Sequence, residues 1–82
     1  MTLLELPEGK IAEITKLDGG REFAARINSF GLFAGGKVRL VTAAPFKGPV
    51  LVEDVENGAR IMVGRGMAEK IMVKEITDGC PD

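Results

Sequence analysis

The stretch from Gly31 to Lys37 spells G-x-x-x-x-G-K, a pattern in which backbone N–H groups and a lysine can cradle phosphates. Two features argue against that chemistry here. The next residue is Val38, so the hydroxyl that would hold Mg²⁺ is missing. The pattern also lies between a predicted helix and a predicted strand, so no helix N-terminus follows it to meet the phosphates. We predict a helix cap and a turn without nucleotide chemistry.

Other catalytic patterns are equally incomplete. Gly64-Arg65-Gly66 could open a dinucleotide fingerprint, but Glu69 stands where the third glycine belongs, so we predict a turn. The chain has no His, which removes the commonest general base, and Ser29 falls late in a predicted helix without a visible partner. We therefore predict a protein that is not an enzyme, with no catalytic residues and no cofactor.

Metal ligands are restricted to oxygen atoms. Without His, and with Cys80 as the single cysteine, the common zinc and cysteine-cluster sites are excluded. The carboxylates of Glu53, Asp54 and Glu56 lie close in sequence, but strand alternation places Glu53 and Asp54 on opposite faces. We expect a solvated face there; the alternative is a weak, oxygen-only contact with Fe²⁺ or Mn²⁺.

The composition predicts one small domain over residues 1–82, with a core within roughly 4–76. Eighty-two residues suffice for a single core, which must be mostly Ile, Leu, Val and Met because the chain has four Phe and no Trp or Tyr. With a net charge of −1, the chain lacks the overall positive charge of a typical nucleic-acid-binding protein. We find no leader-like start and no apolar run of bilayer length, and an unpaired Cys80 fits a reducing cytoplasm.

Frequent glycine and proline residues divide the chain into segments of strand length. The predicted elements are strands at Lys10–Leu17, Lys37–Ala44, Val50–Val55, Arg60–Val63 and Ile71–Ile76, a helix at Arg21–Phe30 and a helical turn at Gly66–Lys70. Leu17 breaks the alternation of the first strand and predicts a bulge near Lys16. Asn57-Gly58 is the clearest hairpin signal. This order predicts a mostly β fold, a small closed five-stranded barrel with one α-helix.

The helix has one apolar face. Phe23, Ile27 and Phe30 recur at i, i+4 and i+7, which predicts that all three are buried against the barrel. Gly31 is placed to end the helix in a left-handed cap.

Four segments, in this order and spacing, resemble the FeoA family over roughly residues 4–76. They are Leu6-Pro7 before Gly9; Ala25-Arg26-Ile27-Asn28-Ser29-Phe30-Gly31-Leu32 before Gly35; Ala44-Pro45 with Gly48-Pro49-Val50; and Ala68-Glu69-Lys70-Ile71-Met72-Val73. The resemblance implies an SH3-like barrel and a cytoplasmic, non-catalytic role in bacterial ferrous-iron uptake. Its implied partner is FeoB, the membrane GTPase that imports Fe²⁺, and the membrane is reached only through that partner.

The same fold occurs as the C-terminal domain of metal-dependent repressors. An alternative function is therefore an SH3-like regulator or nucleic-acid-binding module. The near-neutral charge and the lack of Tyr or Trp for base stacking argue against nucleic-acid binding.

Contact with a partner is the remaining class of activity, and apolar residues on loops are its candidates. Leu32 and Phe33 follow the helix cap, and Phe46 occupies a proline-flanked loop. The alternative is that these side chains close the ends of the barrel. We favour that alternative for Leu32, while for Phe33 and Phe46 both interpretations stay open.

Overall fold

The computed structural model describes residues 1–42 and 48–76. The last two residues of the predicted strand Lys37–Ala44, and Phe46, lie outside these ranges. The strands are β1 (Ile11–Leu17), β2 (Lys37–Thr42), β3 (Val50–Asp54), β4 (Arg60–Val63) and β5 (Ile71–Glu75). Helix α1 is Gly20–Ser29, the single turn α2 is Arg65–Ala68, and a 3₁₀ turn at Leu3–Glu5 precedes β1. The predicted order of one strand, a helix and four more strands is confirmed.

The five strands form one antiparallel sheet in the order β4-β3-β2-β1-β5. The predicted closure of the barrel is wrong, because no pairing joins β4 to β5 within the described residues. The free edge of β5 is occupied by the start of the chain instead. Thr2 bridges Met72, and the Val73 N–H donates to the Met1 carbonyl at 2.8 Å.

Two irregularities bend the sheet. The β1–β5 register shifts between Ile14 and Lys16, which confirms the bulge predicted near Lys16. The β2–β3 register shifts between Leu40 and Thr42. That second shift explains why β2 departs from strict alternation at Val41, since a bulge interrupts the period of two.

The core is aliphatic, as the composition predicts. Its buried members come from every strand, from both helices and from the N-terminal turn: Leu3, Leu6, Ala12, Ile14, Ile27, Leu32, Val38, Leu40, Val50, Val52, Val63, Ala68, Ile71 and Val73. None of the three phenylalanines that the structure describes is among these buried residues. Burying each Leu, Ile or Val contributes about 1.5–3 kcal/mol, so these residues hold the sheet and α1 together.

Helix α1 uses its predicted face only in part. Ile27 is fully buried and Phe23 packs partly buried against the core, but Phe30 is 38% exposed. The prediction for Phe30 is wrong because α1 ends at Ser29 and the chain leaves the helical path at Gly31. The residue that returns to the core from this turn is Leu32, which is 2% exposed.

A Schellman motif produces that turn. Gly31 has φ of 92°, as predicted for a left-handed cap. The Gly31 N–H donates to the Asn28 carbonyl at 2.9 Å, and the Leu32 N–H donates to the Ile27 carbonyl at 3.3 Å. Ile27 and Leu32 are both buried, which gives the motif its usual hydrophobic contact.

The β3–β4 hairpin is confirmed, although its connection spans Val55 to Ala59. Gly58 has φ of 78°, and its N–H donates to the Asp54 carbonyl at 2.8 Å. Side chains complete the turn: Asp54 Oδ1 accepts from the Glu56 N–H, and Asn57 Oδ1 accepts from the Ala59 N–H.

The described residues contain no helix of sufficient length and apolarity to cross a bilayer.

The two ends of the α1 apolar face should respond differently to truncation. We expect Ile27→Ala to lower the free energy of unfolding by about 2–5 kcal/mol, because it leaves a cavity in the core. Phe30→Ala should cost less than half as much, because the Phe30 ring is already partly in solvent. Urea unfolding of both variants measures the difference. Equal losses would contradict the assigned helix end.

Candidate interaction surface

The predicted contact residues separate into a core residue and a surface residue. Leu32 is 2% exposed, so it offers a partner almost no surface. Phe33 is 53% exposed. Phe46 lies outside the described residues. Phe33 is thus the predicted contact residue that the structure places at the surface.

The loop that carries Phe33 is held firmly to the sheet. The Gly36 N–H donates to the Phe33 carbonyl at 2.9 Å, the Gly35 N–H donates to the Ile14 carbonyl at 2.7 Å, and the Ile14 N–H donates to the Gly36 carbonyl at 2.8 Å. A Cβ on Gly36 would lie 3.1 Å from the Phe33 carbonyl oxygen, so this close approach favours glycine. Backbone contacts of this kind hold an exposed ring in a defined place.

Phe33 lines a groove of about 270 Å³, which we call the Phe33 groove. Its apolar lining is the exposed Phe33 together with the buried Ile14, Leu32 and Val38, and its polar lining includes Lys37, Asp54 and Glu56. These residues come from the helix cap, the start of β2 and the β3–β4 hairpin. The topology therefore places Phe33 in one groove with two acidic residues that are distant from it in sequence.

A larger groove of about 610 Å³, the α1–α2 groove, lies between the two helices. Phe23 and Met67 contribute its apolar surface, and Lys70 Nζ stands 5.7 Å from the centroid of the Phe23 ring. Gly19 allows the ring to lie there, because a Cβ at that position would come within 2.6 Å of it. Sequence reasoning missed this groove because Phe23 was assigned to the core.

The charges of the α1–α2 groove are partly matched within the protein. Arg65 Nε lies 3.7 Å from Glu69 Oε2 across one turn, and Lys70 rests over an aromatic face. Both contacts are solvent-exposed and individually weak. The α1–α2 groove nevertheless carries less uncompensated charge than the Phe33 groove, because its basic and acidic residues are equal in number.

The acidic residues of β3 behave as strand alternation predicts. Glu53 lies opposite Arg39 in the register and accepts a hydrogen bond from its Nη1 at 3.2 Å. Asp54 instead lines the Phe33 groove. In residues 1–42 and 48–76, no group of three or more His, Cys, Asp or Glu side chains is arranged to hold a metal ion.

Both glycine patterns occupy the structures that were predicted for them. Gly31 caps α1, Gly35 has φ of 92° in the following turn, and β2 begins at Lys37. The G-x-x-x-x-G-K segment therefore leads from a helix into a strand, the reverse of a phosphate-binding loop. Gly64 is the N-cap of the single turn α2, which lies close to the predicted helical turn.

Comparison with known proteins first defines the class. A crystal structure of an iron uptake regulatory protein, FeoA, superposes with a TM-score of 0.83 at 25% identity, covering 93% of this chain and 97% of that one. The solution structure of FeoA from Chlorobium tepidum gives 0.81 at 30% identity, covering 99% and 81%. The described sheet and helix are thus the SH3-like FeoA fold, in an open rather than hydrogen-bond-closed form.

Sequence comparison then defines the family. The FeoA domain profile matches residues 1–75. A protein of Methanocaldococcus jannaschii, provisionally named Fe(2+) transport protein A, is 33% identical over 72 residues, covering 88% of this chain and 83% of that one. This chain belongs to the FeoA domain family, whose named relatives are associated with Fe²⁺ transport.

A manganese-dependent transcriptional repressor also superposes, with a TM-score of 0.83 over 93% of this chain and 36% of its own. Its identity to this chain is 18%, so the likeness shows a common fold.

We expect the G-x-x-x-x-G-K segment to leave nucleotides unbound. Millimolar GTP or ATP with Mg²⁺ should produce no saturable amide shifts centred on Gly35–Lys37 in NMR spectra, because the missing hydroxyl and the reversed context remove the phosphate cradle. Localised, saturating shifts there would overturn this reading of the motif.

Proposed function

We propose that this protein is a non-catalytic, cytoplasmic accessory protein of ferrous-iron uptake that docks on the cytosolic part of a FeoB-type membrane GTPase. Membership of the FeoA family and relatives named for Fe²⁺ transport support the pathway. Iron is the cargo of the transporter in this proposal. The chain reaches the membrane only through its partner.

The exposure of Phe33 is the observation that carries the docking proposal. A phenylalanine that is 53% exposed on a loop tied to β1 can be buried by a partner without rearrangement of the fold. Aromatic side chains supply large contact areas with few rotatable bonds, and such residues dominate the energetics of many interfaces. Phe46 remains a second candidate, as the sequence predicts.

The repressor-like alternative receives less support. The fold is shared with the manganese-dependent repressor, but a common fold alone does not carry a function. The net charge of −1 also offers no general attraction to a polyanion. Nucleic acid is therefore not part of the proposed function.

Replacing Phe33 tests the docking surface. We expect Phe33→Ser to weaken binding to the cytosolic domain of the cognate FeoB-type transporter by tenfold or more, since truncating an aromatic anchor commonly costs about 2 kcal/mol. The fold should be retained because the ring is not part of the core. Titration calorimetry with the domain, and pull-down with the full transporter in membranes, measure the binding.

Phe30→Ser is the matched control, because Phe30 is also partly exposed but lines neither groove. It should leave affinity within about twofold of wild type, as expected for a residue outside the contact. If wild-type protein associates with neither the domain nor the full transporter, the docking proposal is wrong. If association survives Phe33→Ser unchanged, docking stands and the assigned surface is wrong.

A further inference from the structure

The Phe33 groove carries two carboxylates without basic partners in the described part of the chain. Asp54 and Glu56 line its polar wall, and neither forms an ion pair there. Lys37 is the basic residue of the groove, but the strand register places it directly opposite Glu13 of β1. One lysine against two carboxylates leaves the lining of the groove with one excess negative charge.

Hydrogen bonds of the hairpin hold the Asp54 carboxylate and the backbone of Glu56 in place. The Asp54 N–H donates to the Ala59 carbonyl and the Gly58 N–H donates to the Asp54 carbonyl, both at 2.8 Å. Asp54 Oδ1 accepts from the Glu56 N–H at 3.0 Å, and Asn57 Oδ1 accepts from the Ala59 N–H at 2.8 Å. A turn with this many internal hydrogen bonds loses little freedom when a ligand binds.

The apolar wall supplies the other half of a recognition site. An exposed phenyl face attracts a cation through its quadrupole and also accepts the aliphatic stem of a long side chain. Carboxylates at the far end of such a stem would pair with its charged head. Arginine satisfies both demands together, since its planar guanidinium stacks on rings and forks onto carboxylates.

We propose that the Phe33 groove binds an arginine side chain projecting from the docking partner, with the stem against Phe33 and the guanidinium directed to Asp54 and Glu56. This inference rests on the proposed function in taking the Phe33 face as the docking surface. It adds the chemistry of the partner, an apolar segment with an exposed arginine. The charge of the groove favours such an occupant over a purely apolar segment.

Two short peptides test the chemistry without the transporter. The probe is an acetylated, amidated Ala-Leu-Arg-Leu-Ala peptide, and its control replaces arginine with citrulline, which is neutral but of nearly the same shape. NMR titration of the labelled full chain should give saturable shifts at Phe33 and at Glu56–Asn57. The citrulline peptide should bind about tenfold more weakly, as expected when a hydrogen bond to a charged group is lost.

Charge-neutral variants locate the site on the protein. Asp54→Asn keeps an oxygen that can accept from the Glu56 N–H, and Glu56→Gln changes an exposed side chain, so the double variant should remain folded. It should reduce the affinity for the arginine peptide to that for the citrulline peptide. Glu22→Gln, which removes one carboxylate from the α1–α2 groove, should leave affinity unchanged. Equal binding of both peptides to wild type would overturn the inference.

The same double variant, titrated with the cytosolic domain of the FeoB-type transporter, separates the two proposals. Weakening by about tenfold, together with a shallower salt dependence, supports both. If the domain binds wild type and Phe33→Ser weakens it but the double variant does not, docking stands and the arginine inference fails. If the domain does not bind but the arginine peptide binds selectively, the inference stands and the docking proposal fails. If neither binds, both fail.

Discussion

The left-handed turn at Gly31 decides which of the residues after α1 are buried and which are exposed. It follows the end of α1 at Ser29 and the C-cap Phe30, and it returns the chain to the core at Leu32, whose N–H donates to the Ile27 carbonyl. Ile27 and Leu32 are both buried, whereas the next residue, Phe33, is 53% exposed. A side chain other than glycine would make this backbone conformation costly, since φ is 92°. Burial of one apolar residue and exposure of the next thus follow from one turn.

The two outer strands of the sheet have different neighbours. Met1 and Thr2 pair with β5, so this edge is satisfied by the chain itself. At the other side of the strand order, β3 contributes Asp54 and the β3–β4 turn contributes Glu56 to the Phe33 groove. The groove is therefore assembled from rigid parts: a Schellman cap, a backbone-tied loop and a hydrogen-bonded turn. Sites built from such parts bind with little loss of conformational entropy.

Local sequence signals predicted most of the fold. The bulge near Lys16, the Gly31 cap and the β3–β4 hairpin each depend on a few adjacent residues, and the structure contains all three. The predicted burial of Phe30 is wrong because the i+7 position lies on the apolar face only while the helix continues. The predicted closure of the barrel is wrong because the start of the chain, not β4, pairs with β5. That pairing joins residues far apart in sequence, and no local pattern predicts it. The sequence identifies Phe33 as a candidate contact residue. That Phe33 shares a groove with Asp54 and Glu56 depends on tertiary structure, which no local sequence pattern predicts.

The face that bears Phe33 is the proposed docking face for the transporter. Cross-saturation NMR on the labelled chain in complex with the unlabelled cytosolic domain of the FeoB-type transporter tests it most directly. Irradiation of the domain should transfer saturation most strongly to the amides of Phe33, Gly36 and Glu56, which line the Phe33 groove. Transfer concentrated instead on Phe23 and Met67 would place the partner in the α1–α2 groove and contradict the account.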